Sequence, residues 1–208
     1  MKKIAVFASG RGSNFLKICE GVNSGFIPAK VSLLVAGDSG IGAIDIAKEF
    51  DIPFKVISRS EYKSRDEFNK TLLDTLVRYN IDFIALAGWL SLIGPQILEK
   101  FSNRIVNIHP ALLPFFGGKG MYGHRVHAAV WKSGMRISGA TVHFVNENYD
   151  EGKIILQESV QLEWNDTPEQ ISQKVLKIEH RLYPKALKLL VEDRIRIIDS
   201  RVCLNSGD

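Results

Sequence analysis

The sequence predicts an α/β fold in which a doubly wound, mostly parallel sheet is flanked by helices, with an antiparallel element in the C-terminal part. Two observations carry this prediction. Apolar strands alternate with helix-like segments through the first half of the chain, and after residue 138 two apolar strands follow each other across a short turn. Alternation favours parallel pairing, because each crossover needs a helix, whereas a short turn joins antiparallel strands. We expect one domain over residues 1–208.

The first hundred residues contain four strand-helix pairs. Each strand is a short apolar run, and each helix carries apolar residues at helical spacing with breaking or capping residues at its ends. Strands are predicted over 2–9, 29–38, 53–58 and 81–88, and helices over 15–25, 42–51, 64–80 and 94–102. These pairs account for the parallel part of the sheet.

The pattern changes after a fifth strand over 104–110. Strands are then predicted over 139–147 and 152–162, a long helix over 167–193, a last edge strand over 194–199 and a polar tail over 205–208. Pro184 is expected to kink or divide the long helix, because proline lacks the N–H that the helix needs and its ring crowds the preceding turn.

Composition and charge restrict the class of protein. The chain is 45% hydrophobic and 24% charged, and its net charge of +4 mildly favours an anionic ligand. Lysine and arginine are scattered among acidic residues, so no nucleic-acid partner is expected. Cys19 and Cys203 lie far apart and match no metal-ligand spacing, and no segment has the length of a signal peptide core or a membrane span. We therefore expect a reduced, cytoplasmic protein without a membrane partner.

An amide and an imidazole stand together at the end of the fifth strand. Asn107 and His109 are two residues apart, so their side chains project to the same face, while apolar Ile108 faces the other way. Pro110 then ends ordinary strand pairing. Because open α/β sheets bind their ligands at strand ends, this pair predicts a functional site.

A glycine turn follows the first strand. Gly10 and Gly12 suit a tight turn, and Ser13 and Asn14 open a helix whose free N–H groups attract an anion, which predicts a phosphate site. Two alternatives stay open. One is a dinucleotide fingerprint, in which Phe15 stands where the third glycine belongs, and the other is a plain turn capped by Ser13 or Asn14.

Asp150 lies in an acidic turn, close to Gly152, between the two late strands. A carboxylate beside His109 would raise the pKa of that histidine and hold an imidazolium ready to donate a proton or stabilise an oxyanion. The alternatives are a plain hairpin turn for Asp150 and a structural, hydrogen-bonded role for His109. Spacing along the chain does not decide between them.

Other polar residues have weaker patterns. His124 and His127 are spaced i, i+3, but no metal motif accompanies them, so solvent-facing or loop-anchoring roles are favoured and no metal site is expected. His143 is interpreted as a packed core residue. Glu179 and His180 are interpreted as a solvated helix face, unless a substrate sugar lies beside the first turn.

Four segments in this order resemble the formyltransferases that use 10-formyltetrahydrofolate: "GRGSN", "LAGWLSLI", "NIHPALLP" and "GATVHFVNENYDEGKIILQ". The likeness covers about residues 3 to 200. The length and the "KIEHRLYP" segment are most similar to the members that formylate the amine of glycinamide ribonucleotide in purine biosynthesis. The resemblance therefore implies two small-molecule partners, this ribonucleotide and a formyl folate as co-substrate.

The resemblance also implies roles for the matching positions. Asn107, His109 and Asp150 would be catalytic, Gly12, Ser13 and Asn14 would hold the phosphate, and Glu179 would bind the ribose hydroxyls. The folate would be bound by Leu90, Ser91, Leu92, Ile93, Asn107, Val145, Asn146 and Glu147, with Arg65 at its extended portion. Residues 1–100 would form the phosphate-binding half and residues 101–208 the catalytic and folate-binding half. The family commonly has a cis bond at the position of Leu113 and Pro114.

The chemistry that the resemblance implies is direct attack of the amine on the formyl carbon. Asn107 and protonated His109 would both donate to the oxyanion of the tetrahedral intermediate, without a metal or a covalent enzyme intermediate. The implied assembly is a monomer or weak homodimer. Two departures affect the assignments: Ser91 stands where the family often has a basic residue, and the loop 114–127 is about three residues longer than usual.

Two alternative classes remain. A sibling enzyme, such as methionyl-tRNA formyltransferase or formyltetrahydrofolate deformylase, normally carries a further domain, for which this chain is expected to have no room. A noncatalytic nucleotide-binding module would use the glycine turn without the residues Asn107, His109 and Asp150.

Overall fold

The structure, a computed structural model, describes residues 1–205. Its strands are β1 (Lys2–Ala8), β2 (Ala29–Ala36), β3 (Phe54–Val56), β4 (Phe83–Leu86), β5 (Ile105–His109), β6 (Ile137–Phe144), β7 (Ile154–Gln161), β8 (Ile195–Ile198) and β9 (Arg201–Leu204). Its α-helices are α1 (Ser13–Asn23), α2 (Ala43–Glu49), α3 (Arg65–Arg78), α4 (Pro95–Lys100), α5 (His124–Ser133) and α6 (Pro168–Val191).

Seven strands form one sheet in the order β3-β2-β1-β4-β5-β6-β7. The first five strands pair in parallel, and β6 and β7 are antiparallel to their neighbours. The predicted fold class is therefore confirmed. The chain moves outward from β1 to β3 and then returns to the other side of β1 with β4, so a topological switch point lies between β1 and β4. Ligands bind outside the carboxyl ends of strands at such a point.

Helices cover both faces of the sheet. Alternate residues of β1 enter two different cores: Ile4 and Val6 pack with α1, α2 and α6, whereas Ala5 and Phe7 pack with α3 and α4. This is why the strand is apolar throughout and does not alternate in polarity. The hydroxyl of Tyr183, on α6, is buried and lies 2.9 Å from the carbonyl of Leu86 and 3.2 Å from that of Val106.

The helix α6 is not divided at Pro184. It begins with a capping box, in which the Thr167 hydroxyl accepts from the N–H of Gln170 and the Gln170 side chain accepts from the N–H of Thr167. Pro184 lies inside the helix, yet Tyr183 and Leu187 on either side are fully buried. Packing of both halves against the sheet outweighs the local cost of the proline, so the expectation of a divided helix was wrong.

Two C-terminal strands form a sheet of their own. Residues 194–199 were expected to be an edge strand of the main sheet, but β8 pairs antiparallel with β9, which the sequence pattern did not predict. Asp199 and Ser200 both have positive φ, 47° and 65°, which suits a tight two-residue hairpin turn. Of the predicted polar tail, residues 206–208 lie outside the described part of the chain.

The helix α5 was also missed. Its segment was interpreted as part of a long loop, because four glycines stand between residues 114 and 123. Val126 and Val130 nevertheless lie one turn apart and are buried, and Gly134 ends the helix in the left-handed conformation. Within residues 1–205, the helices are too short or too polar to cross a membrane.

Candidate active site

A cleft of about 970 Å³ opens at the carboxyl ends of β1, β4 and β5. One end is formed by the turn after β1, with Ser13 and Asn14, and the other by Asn107 and His109 on β5. The loop after residue 117, the start of α5 and one face of α6 form its remaining walls. The switch point of the sheet thus lies beneath the cleft, as the fold class predicts.

Asp150 joins the two polar residues of β5. Its Oδ1 accepts from Asn107 Nδ2 at 3.4 Å, and its Oδ2 lies 3.4 Å from His109 Nδ1. The backbone N–H of Gly118 donates to Oδ2 at 3.0 Å. Asn107 and His109 therefore project to the same side of β5, as their spacing predicts, and the fold brings Asp150 to both. The plain-turn alternative for Asp150 does not describe these contacts.

Both nitrogens of His109 face acceptors within the protein. Nε2 donates to the carbonyl of Phe116 at 2.9 Å, and Nδ1 faces Asp150. Burial lowers the pKa of His109, and Asp150 and the Phe116 carbonyl only partly oppose this effect. The expected contribution of Asp150 is confirmed, but the expected net rise in the pKa of His109 was wrong, because desolvation of the imidazolium is the larger effect.

The carboxyl group of Asp150 has a lowered pKa. Burial by itself favours the protonated acid, but the proximity of His143, the charge of His109 and the N–H of Gly118 outweigh burial. His143 Nε2 lies 3.6 Å from Asp150 Oδ1 and 3.1 Å from Asn107 Nδ2. His143 is buried as predicted for a core residue, yet it touches the polar cluster directly. The β5–β6 register, in which Asn107 is paired with His143, is the signal that sequence reasoning lacked.

The glycine turn leads into α1 at one end of the cleft. Gly12 precedes α1 with φ 83°, and a Cβ at this position would lie 2.8 Å from Ala43 Cα, so only glycine fits. No side chain caps α1, although a cap by Ser13 or Asn14 was one sequence interpretation. The first N–H groups of the helix are therefore available to an anion at the cleft.

Glu179 is buried and not part of a solvated helix face. Its side chain is on α6, the residue is 8% exposed, and its Oε2 accepts from Asn14 Nδ2 at 2.6 Å. Burial raises the pKa of Glu179 to about 7, and the hydrogen bond from Asn14 opposes that rise. The Oδ1 atom of Asn14 is buried without a partner among the described residues. Both residues line the cleft, so the start of α1 and the middle of α6 meet there.

Comparison with known proteins identifies the family. The model of the family described as "Formyl transferase" matches residues 2–187. The chain is 46% identical over 196 residues to a chloroplastic phosphoribosylglycinamide formyltransferase of Arabidopsis thaliana, which covers 94% of this chain and 67% of that protein. It is 37% identical to the phosphoribosylglycinamide formyltransferase of Bacillus subtilis, over 92% of this chain and 95% of that protein.

The chain belongs to the formyl transferase family. The family resemblance stated from the sequence is thereby confirmed. A solved structure, glycinamide ribonucleotide transformylase 1 from Symbiobacterium toebii, superposes with a TM-score of 0.93 and 34% identity, over 99% of this chain and 95% of that one. The peptide bond between Leu113 and Pro114 is cis, as the resemblance to formyl transferases implies.

A second, smaller cavity of about 60 Å³ adjoins the polar cluster of this formyl transferase. Of the residues expected to bind folate, it is lined by Ser91, Leu92, Ile93, Asn107 and Val145. Leu90 is 48% exposed and lines the large cleft instead. Within the described part of the chain, neither cavity is lined by Arg65, Asn146 or Glu147.

Three residues without an individual folate assignment also line the small cavity. Asn148 and Tyr149 line it from the turn that carries Asp150, and Trp89 lines both cavities. The indole N–H of Trp89 is buried with no partner within the described chain.

The histidines of α5 differ from each other. His124 has an exposed side chain 3.8 Å from Glu169, as a solvent-facing role predicts. His127 is only 4% exposed, and burial, with the charges of His124 and His109, lowers its pKa to about 4. The solvent-facing or loop-anchoring interpretation was therefore wrong for His127, because the missed helix turns this residue inward. Among residues 1–205, no three His, Cys, Asp or Glu side chains are grouped to hold a metal ion.

Proposed function

We propose that this protein transfers the formyl group of 10-formyltetrahydrofolate to the amine of phosphoribosylglycinamide, a step of purine biosynthesis. The observation that carries the proposal is the contact of Asp150 with both Asn107 and His109, at the boundary between the large cleft and the small cavity. Asn107 and Asp150 line both cavities, so two ligands bound there would meet at this cluster. The names of the Arabidopsis and Bacillus relatives support the same activity.

In the proposed complex, the ribonucleotide occupies the large cleft. Its phosphate binds the turn Gly12–Asn14, where the uncapped N-terminus of α1 supplies N–H donors. Its ribose hydroxyls donate to Glu179, which the Asn14 amide orients. Because the ribonucleotide phosphate lies close to Glu179 in this arrangement, the already raised pKa of the Glu179 carboxyl would rise further or its proton would be shared with a hydroxyl.

The folate ring is proposed to enter the small cavity between Ser91, Leu92, Ile93 and Val145, with Leu90 on the side of the large cleft. The backbone of Asn146 and Glu147, which lines neither cavity, would reach the polar edge of the ring once the turn that carries Asp150 has moved. About 60 Å³ is well below the roughly 300 Å³ of an ordinary small-molecule pocket, so the segment around Tyr149 has to move outward. Arg65 is exposed at the start of α3, the helix whose Asn69 packs against Gly94. From this position Arg65 is suited to bind the anionic tail of the folate. It would take the role of the basic residue that the family often has at the position of Ser91.

The proposed chemistry uses the side chains of the cluster. The amine attacks the formyl carbon, and negative charge develops on the formyl oxygen, which His109 stabilises by donating from Nε2. This nitrogen now donates to Phe116, so the formyl oxygen must replace that carbonyl. Asp150 supports the protonated form of His109 against burial. Removing such a donor typically costs on the order of a hundredfold to a thousandfold in rate.

The remaining assignments follow the same family proposal. We propose one formyltransferase domain, with residues 1–100 as the phosphate-binding half and residues 101–208 as the catalytic and folate-binding half. The enzyme is proposed to act in the cytoplasm as a monomer or weak homodimer on small molecules, without a nucleic-acid or membrane partner.

A formyl-transfer assay tests this function. Purified protein is mixed with 10-formyltetrahydrofolate and the ribonucleotide, and the formylated product is identified by mass spectrometry. We expect product formation that depends on both substrates and falls roughly a hundredfold to a thousandfold in His109→Ala. Loss of the formyl group at the same rate without the ribonucleotide would indicate hydrolysis, and absence of any reaction would refute the proposal.

A further inference from the structure

The neighbours of Asn107 determine which end of its amide faces the cleft. Nδ2 lies 3.1 Å from His143 Nε2 and 3.4 Å from Asp150 Oδ1. An ionised carboxylate only accepts hydrogen bonds, and Asp150 already accepts one from the backbone N–H of Gly118 at 3.0 Å. If His143 Nε2 is an acceptor too, both neighbours require a donor, and only the NH₂ end of the amide satisfies them.

The surroundings of the other ring nitrogen, Nδ1, decide whether His143 Nε2 is an acceptor. Nδ1 lies 2.7 Å from the carbonyl oxygen of Phe144, which only accepts, so Nδ1 carries the proton. In a neutral imidazole the second nitrogen, Nε2, then has a lone pair and accepts. His143 is 2% exposed, so bulk water does not compete for either nitrogen.

Gly152 leaves room for the Phe144 carbonyl group that accepts from His143 Nδ1. A Cβ at residue 152 would overlap the Phe144 carbonyl group and would lie 3.4 Å from His143 Nδ1. Glycine is therefore required at this point of the β6–β7 turn for close approach of the backbone. The chain of contacts runs from Gly152 through Phe144 and His143 to Asn107.

We propose that His143 is a positioning residue that turns the Oδ1 atom of Asn107 toward the cleft, where this oxygen accepts a hydrogen bond from the attacking amine. The proposal rests on the proposed formyl transfer. It differs from the sequence-based expectation, in which Asn107 donates to the oxyanion together with His109. With both N–H bonds of Asn107 directed at Asp150 and His143, that donor role is left to His109.

The accepting oxygen suits the nucleophile. As the amine nitrogen forms its bond to the formyl carbon, the carbonyl π pair moves to the formyl oxygen and the nitrogen becomes cationic, so its N–H bonds become stronger donors. The bond between the formyl carbon and N10 then breaks, N10 keeps the electron pair, and the proton lost by the amine nitrogen ends on N10. Asn107 orients the amine for attack and strengthens its contact as positive charge develops.

The tautomer of His143 is measurable without any substrate. Long-range ¹H–¹⁵N correlation spectra of the ¹⁵N-labelled protein at neutral pH report which ring nitrogen carries hydrogen, and His143→Gln assigns the signal. We expect hydrogen on Nδ1 alone. Hydrogen on Nε2, with or without hydrogen on Nδ1, overturns the proposal, because Nε2 would then donate and the Asn107 oxygen would turn toward it.

Kinetics test the consequence for the reaction. In His143→Gln the new amide can donate or accept, so it no longer imposes one orientation on Asn107. We expect kcat to fall roughly tenfold to a hundredfold while KM for each substrate stays within about twofold, and the pH dependence of the remaining activity to keep its midpoint. The same substitution at His180, a half-buried residue that lines neither cavity, should change kcat by less than about twofold.

The outcomes separate the two proposals. A rise in KM without loss of kcat, or equal losses in the variants at His143 and His180, overturns the positioning role while leaving formyl transfer intact. If the parent protein does not transfer formyl groups, the proposed function fails by itself, and the tautomer still reports whether His143 orients Asn107. Should His143→Gln not fold, single substitutions of the other four histidines assign the His143 signal by elimination, and the tautomer in the parent protein decides.

Discussion

Asp150 interacts with both polar residues of β5. It raises the pKa of His109, which burial lowers, and it holds one N–H of Asn107. At the residue scale, the pKa of His109 therefore depends on two opposing effects, desolvation of the imidazolium and the charge of one carboxylate 3.4 Å away. Because the pKa of His109 is lowered, its imidazole has less positive charge at neutral pH than that of an exposed histidine. Removal of Asp150 should shift that balance further.

We expect Asp150→Asn to lower the pKa of His109 still more, because the largest contribution that raises it is lost. The protonated fraction of His109 at a given pH falls, and formyl transfer near neutrality should decrease by about a hundredfold or more. An NMR titration of His109 in the parent and the variant checks the direction. If His109 titrates identically in the two proteins, Asp150 is not its charge partner in solution.

The lowered pKa of the buried His127 predicts how the free energy of unfolding depends on pH. Its pKa is about 6.5 in the unfolded chain and about 4 in the folded protein, so between these values the unfolded chain binds more protons. Stability should therefore fall as the pH drops from about 6.5 to about 4, by up to roughly 3 kcal/mol from this residue. His109, whose pKa is also lowered, contributes in the same direction.

Urea unfolding of the parent and of His127→Gln at pH 7 and pH 4.5 isolates this residue. The variant should lose roughly 2 kcal/mol less than the parent between the two pH values. Lys132→Gln, on the exposed side of the same helix, is the control and should behave like the parent. An equal pH dependence in all three proteins would mean that His127 is not buried as a neutral imidazole.

At the scale of elements, the turn before α1 requires glycine at residue 12 for two reasons, its backbone conformation and its close approach to α2. Gly12 has φ 83°, and a side chain here would meet Ala43 at the start of α2. The turn is therefore held between two helices, and replacing the glycine should displace the N–H groups to which we assign the phosphate in the proposed complex.

We expect Gly12→Val to weaken ribonucleotide binding at least tenfold with little effect on folate binding, because the changed turn contacts only the large cleft. Calorimetric titration with each ligand measures this. Gly25→Ala is the matched control: Gly25 also has positive φ, 76°, but a Cβ there meets no atom within 4 Å. The control should cost about 1 kcal/mol of stability and leave both affinities unchanged. A Gly12 variant that loses folate affinity instead would mean that the phosphate site is misassigned.

At the scale of the whole molecule, α6 connects the two halves of the chain. It packs on the sheet and on α1 and α5, and it supplies both Glu179 at the cleft and Tyr183 in the core. The Tyr183 hydroxyl contacts carbonyls of β4 and β5, the two strands whose ends form the site. Stability and site geometry therefore depend on the same helix.

We expect Tyr183→Phe to lower the free energy of unfolding by about 1 to 3 kcal/mol, because two buried carbonyl groups lose a donor. Urea unfolding should show a lower midpoint with an unchanged m value. Tyr79→Phe is the control, since the half-buried Tyr79 hydroxyl makes no hydrogen bond within residues 1–205. If both variants are equally stable, the hydroxyl of Tyr183 contributes nothing beyond its ring.

Local pattern and chain order were sufficient for much of this protein. The alternation of strands and helices, the glycine turn before α1 and the pairing of Asn107 with His109 on one face follow from periodicities of 2 and 3.6 residues and from the conformational freedom of glycine. The family resemblance depended on short segments whose spacing is a property of the sequence alone. These features are encoded by neighbours in the chain, so the sequence by itself determined them.

The tertiary structure decided everything that depends on burial or on contacts between distant residues. The net lowering of the His109 pKa, the burial of Glu179 and His127 and the contact of His143 with Asn107 arise because packing removes water from groups that are far apart in sequence. The unbroken α6 at Pro184 and the separate β8–β9 hairpin have the same origin, since packing outweighs local preference. Desolvation and the choice of hydrogen-bond partner are properties of the folded neighbourhood, and residue spacing carries no measure of either.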